Sequence, residues 1–597
     1  MKRYAISRNN ESRAIIDRIY SDLVRRVISN PSDICQVAVA SNFLKQSRSQ
    51  SCGKCTPCRI GLIKLEKKID RILDGEGGEA LIEELKNIAT NIKISADCAI
   101  GIASADMVLR GIGVFYDDYL SHANGNGCTS KRITVPCISR CPAGVQIPHY
   151  ITLLKHKRYD EAVRLIRQDN PLVSVCGLIC EHPCEDRCRR NMIDDSINIR
   201  GLKRFITEHA FNEIREENAP ATGKKIAIIG GGPSGLTCAY YLAVMGHDVT
   251  IIERLEHLGG MLRYGIPKYR LPREVLDSEI EFILGSGIHV IYNTSLGIDT
   301  TLDELKEEYD CIYLSIGAHG SKTIGIEGEE LNGVYSAVEL LREIGDEHMP
   351  NFTGKKVAVI GGGNVAMDVA RTSLRLGADG VTIVYRRRRQ DMTAQAIEIE
   401  STIAEGGELL TLHSPIRAAG DENGNVTGLV IRKQIASALD QTGKPRVHAI
   451  EAAEEQTLGV DIIISAIGQS VEEKHEAIYD NNYDHESGFV VSGGDYVSGP
   501  ATVILAVAAA KQAAHVIDKE LGFAHAIPRE IVIPDPVPDD LIACARVDMV
   551  ERKPSQIISN FTEIEVGMCE EEAMQEASRC LRCDKNGFGE LKGGLIW

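Results

Sequence analysis

A chain of 597 residues is long enough for several domains with large cores. Its formal charge of −17 speaks against a nucleic-acid partner. With 43% hydrophobic and 25% charged residues the composition is that of an ordinary soluble protein, and no apolar run approaches the length of a membrane span. The opening residues, MKRYAISRNNES, lack the apolar core of a signal peptide, so a cytoplasmic location is expected. Eighteen cysteines would be hard to keep as disulfides in a reducing compartment, and most cluster at short, repeated spacings; metal ligation is the better account.

The first group, SCGKCTPCRIG, supplies Cys52, Cys55 and Cys58, and Cys98 follows in SADCAIG. Four thiolates at this spacing suit a [4Fe–4S] cluster. Zinc is the structural alternative, although CxxCxxC departs from the paired CxxC…CxxC of zinc ribbons. Nearby, IKLEKKIDRIL and ALIEELKNIAT carry apolar residues three and four apart, the mark of amphipathic helices. A second group runs from Cys137 and Cys141 (VPCISRCPAG) to Cys176, Cys180, Cys184 and Cys188 (VCGLICEHPCEDRC).

Next, Ile226 to Ile229 read as a buried strand followed by Gly230, Gly232 and Gly235. Glycines there let the backbone reach a pyrophosphate, at which a helix starting near Pro233 points its N–H groups and positive dipole end. Eighteen residues after Gly235, the strand VTIIE ends at Glu253, whose carboxylate suits ribose hydroxyls and repels a phosphate. This site is read as one for FAD. SIGA (Ser315 to Ala318) and SAIGQ (Ser465 to Gln469) read as crossover strands between two nucleotide domains, with boundaries near 348 and 465. Between them the fingerprint recurs with Gly361, Gly363 and Ala366, and VTIVY puts Tyr385 where Glu253 stood. Arg386 and Arg387 follow, and guanidinium forks suit the 2′-phosphate of NADP(H). Arg388 and Arg389 extend the run, and a solvated basic edge is the plain alternative.

In SGGDYVSGPATVILAVAAAKQAA, Asp495 is read as an acceptor for the FAD ribityl or pyrophosphate region. The helix beginning near Thr502 directs N–H groups toward the flavin. No cysteine pair lies between 348 and 464, so a disulfide-reductase route is absent. Hydride transfer needs only a nicotinamide held against the flavin, and no catalytic side chain is named. EASRCLRC adds Cys580 and Cys583. Cys128 and Cys569 have no assigned role, and the isolated Cys35, Cys238, Cys311 and Cys544 are expected to be small buried residues.

CPAGVQIPHYI, NPLVSVCGLIC, INIRGLKRF, GGMLRYGIPKYRLP and VYRR carry a resemblance, over about residues 126 to 525, to the small subunit of NADPH-dependent glutamate synthase. The same stretch is similar to the N-terminal half of dihydropyrimidine dehydrogenase and to the NADPH-binding subunit of electron-bifurcating transhydrogenases. SCGKCTPCRIG resembles a motif of the C-terminal helical bundle in the NADH-oxidising flavoprotein subunit of complex I and related hydrogenases. The resemblance implies an α/β architecture, two Rossmann-like dinucleotide-binding domains for FAD and NADP preceded by two helical iron–sulfur domains. The implied divisions are 1–125, 126–217, 218–347 with 465–530 (FAD), 348–464 (NADP) and 531–597, a C-terminal extension donating cluster cysteines. It adds Pro233, Ser234, Arg254, Gly260, Met261, Arg263 and Gly494 to the FAD contacts, and Asn364 and Val365 to those of NADP.

The family holds two [4Fe–4S] clusters before its FAD domain, opening with a motif whose RCLxC half is missing here from its usual place and appears instead at Cys580 and Cys583. The resemblance thus implies a displaced segment that completes one cluster from Cys580, Cys583, Cys137 and Cys188. A zinc site or an idle CxxC is the plain alternative. The other cluster takes Cys141, Cys180 and Cys184. The family's fourth ligand, a Glu or Gln, is Lys203 here, which cannot ligate when protonated; either Cys176, one helical turn before Cys180, substitutes for it, or the cluster lacks a fourth protein ligand. Together these imply FAD, NADP(H) and three [4Fe–4S] clusters. The expected protein is an NADP(H)-dependent oxidoreductase subunit passing electrons to iron–sulfur or flavoprotein partners linked to NADH or ferredoxin. Such partners occur in bifurcating transhydrogenase, iron hydrogenase and formate dehydrogenase complexes. A glutamate synthase small subunit and a non-catalytic scaffold braced by clusters are the rivals.

Overall fold

The structure is a computed structural model and describes residues 12–19, 35–125, 135–211, 215–439, 445–450, 454–471, 490–527, 531–535 and 544–584. The expectation for Cys128 falls outside these residues. The chain divides into two compact units, Met1–Pro142 with Ser437–Arg446 and Arg582–Trp597, and Ala143–Ala436 with Val447–Leu581.

The first unit is helical. Helices α1 (Gln36–Ser49), α2 (Leu62–Leu73), α3 (Gly78–Ser95), α4 (Ala99–Val114) and α5 (Tyr116–Ala123) form a bundle. Leu62, Leu65, Ile69 and Ile72 recur three and four apart along α2, giving it one apolar stripe. The stripe is buried in a common core with Leu81, Ile82, Leu85 and Ile92 of α3 and Ala105 and Val108 of α4. Each such side chain contributes about 1.5–3 kcal/mol of burial. A π-helical turn, Pro57–Gly61, leads into α2.

The second unit opens with helices α6 (Ile147–Lys155), α7 (Tyr159–Arg167), α8 (Val173–Ile179) and α9 (Ile199–His209). Two parallel sheets follow. Strands β1 (Lys225–Ile229), β2 (Asp248–Ile252), β3 (His289–Ile291), β4 (Cys311–Leu314) and, far along the chain, β10 (Val490–Ser492) form a sheet in the order β10-β4-β1-β2-β3. β5 (Val334–Ser336), β6 (Lys356–Ile360), β7 (Gly380–Tyr385), β8 (Gly407–Thr411) and β9 (Ile462–Ser465) form the second, in the order β5-β9-β6-β7-β8. β1 and β6 are near-continuous apolar runs because helices cover both faces of such sheets. Just past SIGA and at the end of SAIGQ, Gly320–Ser321 pairs antiparallel with Gln469–Ser470, so the chain crosses between the sheets at paired positions.

Helix α10 (Pro233–Val244) follows β1, α11 (Arg273–Leu284) precedes β3, and α12 (Asn364–Arg375) follows β6. Helix α13 (Val503–Glu520) packs on α10. Asp518 near its end accepts from His247 Nε2 at 3.0 Å and His525 Nδ1 at 2.7 Å, tying the helix to the start of β2.

The C-terminal segment is a strap. Its ribbon, Val550–Glu551 against Glu565–Val566, meets α9 on one side, where Arg200 donates to Glu565 at 2.5 and 2.7 Å and Arg204 pairs with Glu563 at 2.9 Å. On the other side Ile557 and Ile564 pack on Tyr269, and Glu551 lies 3.5 Å from Arg371 in a buried ion network. In that network Arg371 donates to Glu398 and Glu405, Arg375 to Glu405, and Arg270 to Asp368. The last helix, α14 (Glu570–Ser578), touches α6 and α9. Its buried Glu576 accepts the N–H groups of Asn198 and Val547.

Cys238 and Cys311 are buried as expected, but Cys35 and Cys544 are only half-buried. Cys35 caps α1 and its sulfur lies 3.2 Å from His122 Nε2, while the Cys544 backbone donates to Asp194, so each stands at a polar junction rather than in a core.

Candidate cofactor sites

The first fingerprint lines a cleft at the C-terminal edge of the β1 sheet. Gly230, Gly232, Pro233, Ser234, Glu253, Arg254, Gly260, Met261 and Asp495 all border it. A side chain on Gly235 would put its Cβ 1.9 Å from the Gly230 carbonyl, so this glycine sets how closely helix and strand approach. Gly232 caps α10 without any side-chain bond to its first N–H groups, which leaves that end suited to an anion. These features fit a dinucleotide. Glu253 is buried and accepts from the N–H groups of Gly231 at 2.7 Å and Leu255 at 2.9 Å. Burial pushes its carboxyl up, and those two N–H groups pull against that shift. Asp495, also sheltered, is pushed up to about 6 by burial, with the Ala501 N–H opposing.

Gly235, set at the helix–strand contact, is one of four expected FAD residues that do not border the cleft. Arg263 turns away to bond the Leu258 carbonyl and Asp277, Thr502 caps α13, and Gly494 packs against Ser234 at a positive φ of 68°. Sequence reading missed Thr294, Ser295, Leu296, Ile316, Gly317 and His319, which do border it. The signal was present for Ile316 and Gly317, since the SIGA strand must end at the sheet edge where α/β folds bind ligands.

At the second fingerprint, Gly361 has φ 154° and a Cβ there would meet the Ala466 carbonyl at 2.3 Å. Gly363 caps α12, again without a side-chain cap. The Tyr385 ring would be struck by a Cβ on Gly362, and its hydroxyl donates to the Asp391 carbonyl at 2.8 Å. Asn364 accepts from the Gln395 N–H and donates to Glu181, while Ala366 is buried and Val365 is partly buried in the helix–sheet core. The arginines separate. Arg388 makes a two-pronged pair with Asp391, Arg389 lies 3.5 Å from Glu400, and Arg386 is exposed with no ion-pair partner among the described residues.

In the bundle, Cys55 and Cys58 share a side-chain hydrogen bond, and Cys98 lies within electrostatic reach of Cys58. Burial pushes Cys55 up, but the N–H groups of Cys58 and Asp97, aimed at its sulfur, bring it below the ordinary thiol range. Burial holds Cys58 at about 12. A Cβ on Gly101 would stand 3.0 Å from the Cys58 sulfur, so the glycine leaves room there. Cys52 is exposed.

In the second unit, Cys180 ends α8 and accepts the His182 N–H at 3.4 Å. Cys184 and Cys188 flank a short 3₁₀ turn, and the Cys188 sulfur, pushed up by burial, receives the N–H groups of Ile197 and Arg190. Cys176 is fully buried and pushed up to about 12, with the charge of Lys203 and the thiol of Cys180 close by. Next to Cys580, Arg579 donates to Asp194 at 2.9 Å and to the Asp195 carbonyl at 2.7 Å, and Arg190 donates to Asp194 and to the Arg579 carbonyl. The strap thereby brings the chain at 579–580 to the neighbourhood of Cys188. Cys137 and Cys141 lie at a one-turn helix, Pro136–Arg140, of the first unit.

Two parallel nucleotide sheets exchanging the chain at a crossover, together with cysteine-bearing helical segments, define an NAD(P)H-dependent flavin and iron–sulfur oxidoreductase. The pyridine nucleotide-disulphide oxidoreductase family matches residues 196–321 and 224–492. The iron–sulfur binding region of NADH-ubiquinone oxidoreductase F matches 38–122, and domain II of dihydropyrimidine dehydrogenase, with its 4Fe-4S cluster, matches 117–215. The NADPH-Fe(3+) oxidoreductase subunit beta of Geobacter sulfurreducens is 34% identical over 92% of this chain and 90% of its own. The NADP(+)-dependent formate dehydrogenase subunit beta of Moorella thermoacetica is 33% identical over 95% and 93%. The small chain of glutamate synthase [NADPH] from Escherichia coli is 33% identical over 63% of this chain and 87% of its own. The chain belongs to this family of NADP(H)-linked FAD and iron–sulfur oxidoreductase subunits. No helix among the described residues is long and apolar enough to cross a membrane.

Proposed function

We propose that this chain is the NADP(H)-handling subunit of a multi-subunit oxidoreductase, with three [4Fe–4S] clusters leading from its FAD to partner subunits. The observation that carries this reading is the contrast between the two nucleotide ends. One presents the buried carboxylate of Glu253, the other a tyrosine followed by Arg386, exposed and without an ion-pair partner among the described residues. Gly230 to Gly235, Glu253 and Asp495 would hold FAD. Gly361, Gly363 and the α12 N-terminus would hold the pyrophosphate of NADP(H), with Arg386 and Arg387 on its 2′-phosphate. Bound there, FAD supplies the exchange between hydride and single electrons. The chain's own part is to hold a nicotinamide against the flavin and to bring thiolates to it in series.

The cluster ligands are Cys52, Cys55, Cys58 and Cys98 for one site. Cys137, Cys188, Cys580 and Cys583 serve the second, and Cys141, Cys176, Cys180 and Cys184 the third. Relatives that align over nine-tenths of the chain are beta subunits of larger assemblies, whereas the glutamate synthase small chain aligns with only 63%. This favours a formate dehydrogenase or metal-reducing oxidoreductase type of partner over a glutamate-forming one. Anaerobic NADPH should bleach the flavin of the purified protein, and NADH should do so far more slowly. A flavin that stays oxidised with NADPH would overturn the reading in favour of a scaffold.

A further inference from the structure

The described residues of the helical bundle expose five large apolar side chains, Ile60, Ile63, Ile94, Ile102 and Phe115. Four of the five lie within five residues of a cluster cysteine, Ile60 and Ile63 after Cys58 and Ile94 and Ile102 on either side of Cys98. They share one end of the bundle: a Cβ on Gly61 would meet Ile92 of α3 at 2.8 Å, and one on Gly101 of α4 would meet Cys58. A soluble surface spreads such residues thinly, and gathering them marks a contact site. Ile94 is 77% exposed.

The charge around them runs against the rest of the molecule. Lys54, Arg59, Lys64 and Lys67 are all exposed, and none has an ion-pair partner among the described residues. Ile60, Ile63, Lys64 and Lys67 recur at the spacing of one helix face. The acidic groups nearby are Asp97, exposed, Glu66, paired with Arg48, and Asp106, paired with Lys93 and Arg110. A basic, apolar end on a chain of net charge −17, with Cys52 exposed two residues before Lys54, is complementary to an acidic partner.

We propose that this end of the bundle, Lys54, Arg59, Ile60, Ile63, Lys64, Lys67 with Ile94 and Ile102, is the docking surface for an acidic one-electron carrier protein. It rests on the electron-relay reading above and adds the place and charge of the exit. The holoenzyme, given NADPH, is assayed with a small acidic [2Fe–2S] ferredoxin across a salt series. The KM for ferredoxin should rise with ionic strength, and Lys64→Glu with Lys67→Glu should raise it about tenfold at low salt. Ile63→Ser should raise it at every salt concentration. Flavin bleaching by NADPH, and reduction of hexaammineruthenium(III), a small cation, should not slow in these variants. Absence of bleaching in the unaltered protein removes the underlying reading. Intact bleaching with no ferredoxin reduction, or with a KM blind to these substitutions, overturns the docking surface alone. So does a dimer of this chain that Ile63→Ser dissolves.

Discussion

The two nucleotide sites differ through a handful of side chains. Arg388 and Arg389 are occupied by Asp391 and Glu400, whereas Arg386 is exposed with no ion-pair partner among the described residues, and with Arg387 it makes up the pair proposed for a 2′-phosphate. A charge-assisted bond contributes about 1.5–3 kcal/mol, so Arg386→Ala with Arg387→Ala, losing the equivalent of one such bond at an exposed site, should raise the KM for NADPH roughly ten- to hundredfold. Steady-state kinetics with NADH should be nearly unchanged; equal losses with both nucleotides would contradict the assignment. Glu253→Ala should weaken flavin retention, read as FAD lost on gel filtration, because the carboxylate fixes the Gly231 N–H as well as facing the cleft. Much of this was legible in sequence. The steric need for glycine at Gly230, Gly235 and Gly361 is local and leaves a local mark. Which arginine pairs with Asp391 depends on how the chain turns after Tyr385, and neither spacing nor composition encodes that.

At the scale of elements, α13 is pinned to β2 by the His247–Asp518–His525 contacts. Burial lowers His247 below its ordinary value of 6.5, with Asp518 only partly opposing. Its contribution to stability is full above 6.5 and is lost as pH falls, since the unfolded chain then takes up a proton that the folded one resists. Thermal melts should show a loss of stability below that pH, and the slope should shrink in His247→Phe. The strap makes a second element-level case. Cys580→Ser with Cys583→Ser should cost about four irons and four labile sulfides per chain if the strap completes a cluster. Iron content equal to that of the unaltered protein would refute the fold-back. The sequence hinted at the strap through its misplaced RCLxC, but only through the cysteines. The ion pairs that seat it join residues some 365 positions apart and carry no periodic signal.

For the molecule as a whole, the strap is a joint. Glu565 faces Arg200 and Arg204 of α9, which packs on the cysteine-bearing α8, while Glu551 reaches the network of Arg371, Glu398 and Glu405 beside the second nucleotide sheet. Removing one partner of such a sheltered pair leaves a charge uncompensated. Glu565→Ala should therefore destabilise the protein by on the order of 2 kcal/mol, seen as a lower Tm, while Glu565→Asp should recover part of it. An equal effect from substituting an exposed acid such as Glu308 would argue against the joint. The fold class, with parallel sheets and helical flanks, came from the resemblance carried by motifs such as CPAGVQIPHYI, while the apolar run before Gly230 marked a strand alone. The crossover ribbon at Gly320 and Gln469 was readable only because its motif occurs twice.

The ribosome delivers the strap long after the helices it closes. At about 5–20 residues per second, Arg200 waits roughly 20 to 70 s for Glu565 to emerge. During that interval the helices have only part of their ion pairing, and a chain cut short by proteolysis or a stalled ribosome never acquires the rest. Maturation of this region is thus scheduled for the end of synthesis, and if Cys580 and Cys583 ligate a cluster, an incomplete copy would betray itself by its iron content.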